Sequence, residues 1–524
     1  MVRGDHAAIL LAICTDWIAF DIAAMANGLI TVRLCLQRSA ANIRFFLTNS
    51  GHRLCLIDST NHWNKLAPHI ACGGSLTELR TRSGEQAPKN QDAIDISGLA
   101  HILIYTSGTT GLPKGAILSQ HALLWNAEAV TEFMPPLTSD VFLSLLPLAH
   151  TFERSLSYHL AMIRRSRVVF SRSIETLRQH LVGVRPTLLV AGPRPSERII
   201  HEAIRRKVSQ RSVKRRLAEW AAEFGLQHFV ARHGRAKPAL AITLFVVWPL
   251  IEQLVQSSVL GAFGGHVRVA NSAIAPLPTY VSHLLIGLGL PRAEGCELIE
   301  ASPVVIVTTL EDNAPDPVGG LVRGVAARLG HEGELLIKSP SLMRGHWQYP
   351  ERSAAAIEGD GWLHTGGIAE FRANRVHIVG RLKVLIVLST GKKVVSANVE
   401  AAIMADPLFE QCCVHANNRA AIVAVMVRGR DRWEAFAKLY HLDPVEPNKP
   451  TARAAILTRN LHATHHQPTF AQVRVVHALL QPFTAVDGSL TPTLKIKRKV
   501  IKDRYQTKIE ELYARQPARL HHES

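Results

Sequence analysis

The sequence predicts an α/β fold: a large N-terminal domain of βαβ-type subdomains plus a small α+β C-terminal domain. Three observations carry that expectation. Residues 1–60 alternate apolar runs with polar breaks, Ala7–Cys14, then Trp17–Val32, then Arg53–Ile57, in the strand–helix–strand rhythm of an α/β layer. The 524 residues suffice for several cores, so two or three domains are expected. Beyond residue 384 the texture changes to short mixed elements. These are a strand at Leu385–Leu388, a helix after Ser396, a strand pair about Asn417-Asn418, and two helices before a basic C-terminus.

Composition narrows the function classes. Apolar residues make up 47% and charged residues 19%, values of a globular chain rather than a disordered one. A formal charge of +18 suits a polyanionic ligand, an anionic membrane surface or nucleic acid. The basic run Arg205, Arg206, Lys207, Arg211, Lys214, Arg215 and Arg216 lies close to the apolar run Leu240–Val247, which is compatible with peripheral membrane association or with handling an acyl chain. Only Trp220 and Phe224 offer stacking nearby and no nucleic-acid motif occurs, so no nucleic-acid partner is expected. Seven cysteines without a C-x-x-C pair argue for a reducing, cytoplasmic setting and against a zinc or disulfide framework. His462, His465 and His466 lack a matching metal pattern and read as surface residues. The run Pro238–Ile251 is broken by Pro249 and falls short of the roughly twenty residues that a membrane span needs. Ala7–Cys14 lacks a cleavage site and reads as a buried strand.

The stretch with the most chemistry runs Ile104-Tyr105-Thr106-Ser107-Gly108-Thr109-Thr110-Gly111-Leu112-Pro113-Lys114-Gly115. An apolar run, Leu99–Ile104, precedes it as a strand. A helix capped by Ser119 follows, with Leu123, Ala127, Val130 and Met134 on one face. The loop between them holds three glycines, four hydroxyls and one lysine. Glycines let backbone N–H groups point at an anion, hydroxyls add donors, and lysine adds a mobile positive charge. The loop is a phosphate cradle. It is not a Walker loop, because Lys114 follows Gly111 at the wrong spacing and no hydroxyl comes after it.

Five further segments stand out. Phe142–Arg154 is an apolar strand ended by Pro147 and followed by a polar cluster containing His150, which taken alone reads as a strand-end residue. Gly295–Pro303 holds Glu300. Asp360–Ala369 and Gly380–Val384 hold Gly367 and Arg381. Gly488–Lys499 holds Lys495, Arg498 and Lys499.

Together these segments, in this order, resemble the motifs of the AMP-forming acyl-CoA synthetases, and among them the bacterial long-chain fatty acid–CoA ligases. The likeness covers roughly residues 1 to 510. It implies a large AMP-binding domain over 1–382, N-terminally short against the family pattern, and a small mobile domain over 383–524. It also implies a two-step reaction. A fatty acid carboxylate attacks the α-phosphate of ATP, giving acyl-adenylate and pyrophosphate, and the thiol of CoA then displaces AMP. By the resemblance, Thr106, Ser107, Gly108, Thr109, Thr110, Gly111 and Lys114 hold the β- and γ-phosphates. Glu300, with Thr106, holds Mg²⁺. Arg381 contacts the nucleotide, His150 stands beside the acyl pocket, and Lys495 is the adenylation lysine.

The chain also departs from the pattern. Ala273 and Ile274 replace two glycines. Cys296, Glu297 and Ile299 replace the tyrosine, glycine and threonine before Glu300, and Val384 replaces a hinge aspartate. Gly367 replaces the aspartate that binds both ribose hydroxyls in the family. Charge-assisted hydrogen bonds are worth about 1.5–3 kcal/mol each, so that loss alone could weaken ATP binding by roughly a hundredfold. Two readings follow: a working long-chain fatty acid–CoA ligase, or a catalytically impaired or non-catalytic relative that binds acyl groups or nucleotide.

Overall fold

The computed structural model describes residues 1–36, 40–59, 73–76, 101–106, 113–171, 176–191, 261–272, 292–308, 318–372, 375–406, 408–416, 418–484, 487–491 and 496–514, with isolated positions at 64, 66, 68, 70, 224, 226–229, 231 and 286. The basic run at 205–216, the apolar run Leu240–Val247, Ala273 and Ile274 lie outside them.

The N-terminal rhythm folds as an α/β layer, with two elements where the run Trp17–Val32 read as one, helix Thr15–Ala26 and strand Ile30–Arg33, and with helix Ala40–Ser50 before Leu54–Ile57. Strand His6–Leu10 pairs in parallel with both Ile30–Arg33 and Leu54–Ile57. Parallel neighbours need a crossover, and helix Thr15–Ala26 supplies the first. Its buried residues Trp17, Asp21, Ala24 and Met25 fall on one stripe at helical spacing. These strands belong to a seven-stranded sheet. Its order is Gly345–His346, Lys114–Ser119, His101–Thr106, Ile30–Arg33, His6–Leu10, Leu54–Ile57 and Gly73–Ser75.

One expectation is corrected here. The phosphate loop does not run straight from strand to helix. Strand Lys114–Ser119 intervenes and pairs antiparallel with His101–Thr106, placing Lys114 opposite Thr106. The apolar Ala116-Ile117-Leu118 would otherwise be exposed; as a strand it covers the edge of the sheet, with Ala116 and Leu118 fully buried. The helix then starts at Gln120, capped by Ser119, whose Oγ accepts the Ala122 N–H at 3.0 Å.

An eleven-stranded sheet forms the second layer. Its parallel part contains Arg167–Phe170, Val141–Ser144, Leu188–Ala191, Val269–Ser272 and Arg292–Glu297. Its antiparallel part continues through Val304–Val307, Val318–Leu321, Arg375–Arg381, Leu363–Arg372, Glu334–Lys338 and Ala326–Leu329. One apolar core spans both halves, from Phe142 and Leu188 to Ile337 and Val376.

The C-terminal elements form their own core about Trp433, Met426 and Ile403. The strand pair about residue 418 is present as Phe409–His415 and Ile422–Arg428, antiparallel. The sequence reading missed two elements. Strand Val473–Leu479 pairs in parallel with Ile422–Arg428, its crossover built by helices Arg430–Leu439 and Pro450–Ala463. The basic C-terminus forms helix Arg498–Ala514.

Gly319 marks the tightest approach in the second sheet. A Cβ there would lie 2.2 Å from the backbone carbonyl carbon and oxygen of Val307. Backbone cannot yield as a side chain can, so Gly319→Ala is expected to cost at least about 2 kcal/mol in urea unfolding. An unchanged midpoint would contradict this packing.

Candidate active site

The site grows from the strand that follows the phosphate loop. Lys114–Ser119 is bound on both edges. On one side it pairs with His101–Thr106, so the two ends of the loop face each other; on the other it pairs with Gly345–His346. Trp347 N–H donates to Gly115 O at 2.7 Å and Arg344 N–H to Ile117 O at 2.9 Å. Lys114 begins this strand. Burial first, then the charges of Lys114 and Arg352, push the His346 imidazole down to about 4, so this ring is neutral at pH 7. Ser107, Gly108, Thr109, Thr110 and Gly111 lie outside the described residues, and of Thr106 only the backbone is described.

The same segment reaches Glu300. Met343 N–H donates to Glu300 O at 2.8 Å, and strand Lys114–Ser119 packs on the 3₁₀ turn Ile299–Ala301. On the far side Asn126, from the helix after the loop, clamps the backbone of Val304. Its Nδ2 donates to Val304 O at 2.7 Å, and its Oδ1 accepts Val304 N–H at 3.1 Å. The turn carrying Glu300 is thus tied from both sides to the elements flanking the phosphate loop, with the residue half-buried.

His150 joins this region through Glu297. It caps the helical segment Thr151–Arg164, and its Nδ1 accepts the Phe152 N–H at 3.4 Å. Nε2 then stands 4.0 Å from Glu297 Oε1. An irregularity in register between Cys296 and Glu297 re-aims the end of that strand. Ser155 Oγ donates to Ser302 O at 3.4 Å and ties the two segments again. Below them Arg154 is fully buried against Asp21 at 2.6 Å, and Asp21 also accepts from Arg33 at 2.9 Å. Removing one partner of such a pair typically costs about 3–5 kcal/mol. Glu297 was overlooked as a contact of His150; its one trace in the sequence is a large acid at a glycine position.

Gly367 and Arg381 come together, directly opposite on neighbouring strands. The carboxylate bonded to this turn is Glu334, from the Gly333-Glu334-Leu335 segment. Oε1 accepts the Gly366 N–H at 2.8 Å and Oε2 lies 2.8 Å from His364 Nδ1. Both oxygens are committed to the turn. Glu370, a nearby acid in the sequence, pairs with Arg372 at 2.5 Å. A Cβ on Gly367 would meet only Thr365 Oγ1 at 3.3 Å and Gly380 O at 3.9 Å, so an aspartate is nearly accommodated there.

Lys495 lies outside the described residues, but its flanks are held. Leu490 and Ile496 form a β-bridge, and Lys497 N–H donates to Ser489 O at 2.9 Å. The Arg498 guanidinium binds both oxygens of Glu400 at 2.5 Å, and Arg504 binds Asp487 at 2.8 Å.

Among the described residues no group of three or more His, Cys, Asp or Glu side chains could enclose a metal ion. A lone half-buried carboxylate at Glu300 fits Mg²⁺, which is commonly held by one or two carboxylates together with substrate phosphates.

Known proteins are similar to this chain. A family model described as "AMP-binding enzyme" matches residues 1–347, and one described as "AMP-binding enzyme C-terminal domain" matches residues 383–517. The chain is an AMP-binding enzyme. The long-chain-fatty-acid–CoA ligase FadD15 of Mycobacterium tuberculosis is 28% identical to this AMP-binding enzyme, over 97% of this chain and 88% of the relative. Fatty acyl-CoA synthetase A of Dictyostelium discoideum is 26% identical over 98% and 82%. Among solved structures, the adenylation domain of a carboxylate reductase from Mycobacterium chelonae shares the fold. Its TM-score is 0.74 at 22% identity, covering 98% of this chain and 81% of that one.

The Glu334 turn has a titration consequence. The hydrogen bond that His364 donates to Glu334, with the charges of Glu334 and Glu358, holds His364 above its usual 6.5. A raised folded pKa means that the pair's contribution to stability is full below about 6.5 and is lost as pH rises through the folded value. By NMR, His364 is expected to titrate above 6.5 and to fall in Glu334→Gln. An unshifted ring in the variant would contradict the assignment.

Proposed function

We propose that this AMP-binding enzyme is an AMP-forming long-chain fatty acid–CoA ligase using ATP, Mg²⁺ and CoA. The observation that supports the reading best is the attachment of the Glu300 turn, through Met343 N–H and strand Lys114–Ser119, to the strand that follows the phosphate loop in the chain.

In the first step a fatty acid carboxylate oxygen forms a bond to the α-phosphorus of ATP, and the bond to the pyrophosphate oxygen breaks. The protein's work is positioning and charge neutralisation. Thr106, Ser107, Gly108, Thr109, Thr110, Gly111 and Lys114 bind the β- and γ-phosphates. Glu300, with Thr106, would hold Mg²⁺, whose chemistry is Lewis-acid neutralisation of phosphate charge. Arg381, opposite Gly367, contacts the nucleotide. Lys495 brings its ammonium between carboxylate and α-phosphate, and His150 lines the acyl side. In the second step the CoA sulfur bonds to the acyl carbon, AMP leaves, and the thiol proton passes to solvent. The large unit ends at 382, and the small unit, 383–524, turns about residues 383–384 to exchange Lys495 for CoA. The enzyme works in the cytoplasm and associates peripherally with the inner face of the membrane. Among the described residues no helix is long and apolar enough to cross one.

ATP–pyrophosphate exchange with Mg²⁺ and fatty acids of graded length tests this reading. Exchange should peak at long chains and fall at least about a hundredfold in Lys495→Ala. Gly367→Asp should lower the KM for ATP. Absence of exchange in both the wild type and Gly367→Asp would overturn the ligase reading.

A further inference from the structure

We propose that the N-terminal edge of the parallel strands in the second sheet is a docking surface for an anionic lipid bilayer. Strand register brings the parts together. Val141 pairs with Arg167, and Leu188 pairs with both Phe142 and Val269, so four parallel strands begin at one edge. Backbone bonds close the row: Arg167 N–H to Asp140 O at 3.0 Å, Thr187 N–H to Val141 O at 3.0 Å, and Arg268 N–H to Thr187 O at 2.8 Å. Strand Val141–Ser144 runs from this edge and His150 follows beyond its opposite end, so this edge lies at the far end of that strand from His150.

The turns at this edge expose arginines beside aliphatic side chains. Before Arg167 come Met162 and Ile163, 53% and 38% exposed, then Arg164 and Arg165, both exposed. Leu137, 53% exposed, enters the neighbouring strand, and Ser166 Oγ donates to its carbonyl at 2.9 Å, holding the two turns together. Before Leu188 stand Val182, 52% exposed, and Arg185. Arg165 and Arg185 each end a helix in the left-handed region, at φ 56° and 53°, where glycine is the usual residue. Two arginines at positions that disfavour a side chain point to a use for their charge.

Charge complementarity selects the partner. The acid among these turns, Asp140, is buried and taken by Arg268 and Thr187, and nearby Glu132 pairs with Arg323 at 2.7 Å. Among the described residues of these turns, the exposed charges are arginines and the exposed large apolar residues are aliphatic. Guanidinium groups suit lipid phosphates, and methionine, isoleucine and leucine side chains enter the acyl boundary. Nucleic acid would call for stacking aromatics, and the exposed apolar residues here are aliphatic.

The inference rests on the peripheral-association reading above and not on the ligase reading, since binding is measured without substrate. The full chain is sedimented with vesicles of phosphatidylcholine alone and of equal parts phosphatidylcholine and phosphatidylglycerol. It should bind the anionic vesicles only, and less so at high salt. The triple variant R164Q/R165Q/R167Q should weaken binding by about fivefold per arginine, roughly a hundredfold together. M162S/I163S should weaken it at every salt concentration. Failure of the wild type to bind anionic vesicles overturns the proposal and peripheral association with it. Wild-type binding that both variants retain overturns this surface alone. Tighter binding of a single-stranded oligonucleotide, displacing the vesicles, overturns it in favour of nucleic acid.

Discussion

The backbone of strand Lys114–Ser119 is the constraint on which the site depends. Its pairing with His101–Thr106 fixes where the phosphate loop begins and ends, and its pairing with Gly345–His346 fixes the segment that reaches Glu300. No side-chain chemistry is needed for either contact. A hydrogen-bonded ladder is an economical way to hold a charged site, because every buried N–H and C=O must find a partner in any case. The Asn126 clamp on Val304 then fixes the Glu300 turn from the opposite side.

The two ends of the proposed nucleotide site are unequally built. At the proposed phosphate end, Lys114 and the Glu300 turn share one framework of strand pairing and backbone bonds. At the ribose end Arg381 faces a glycine, and Glu334 spends both oxygens on the turn itself. Charge neutralisation at a triphosphate draws on several groups, whereas a ribose carboxylate works alone. Loss of the latter therefore weakens binding without removing a group that touches the reacting phosphorus.

Much of this was legible in the sequence because it is local. The βαβ rhythm of residues 1–60, the Ser119 cap and the strand pair about residue 418 each follow from periodicity and turn chemistry. What was missed is non-local. Ala116–Leu118 reads equally as loop or strand until a sheet edge needs covering. Val473–Leu479 becomes a strand by pairing in parallel across two helices. Glu297 and His150 are far apart in the chain, and only the packing of their two segments brings them together. Glu334 is not legible for the same reason: the acids nearest Gly367 in the sequence are Asp360 and Glu370, while the one bonded to its turn comes from another strand.

The central claim is that the phosphate end, not the ribose, holds the nucleotide. The direct measurement is the affinity of the wild-type chain for ATP and for 2′-deoxy-ATP by calorimetry with Mg²⁺. With Gly367 offering no carboxylate, the two are expected to bind within about twofold of each other, since a lost charge-assisted bond would cost tenfold or more. A preference for ATP of about tenfold or greater would contradict the account, because it would require a carboxylate on the ribose that neither Gly367 nor the committed Glu334 supplies.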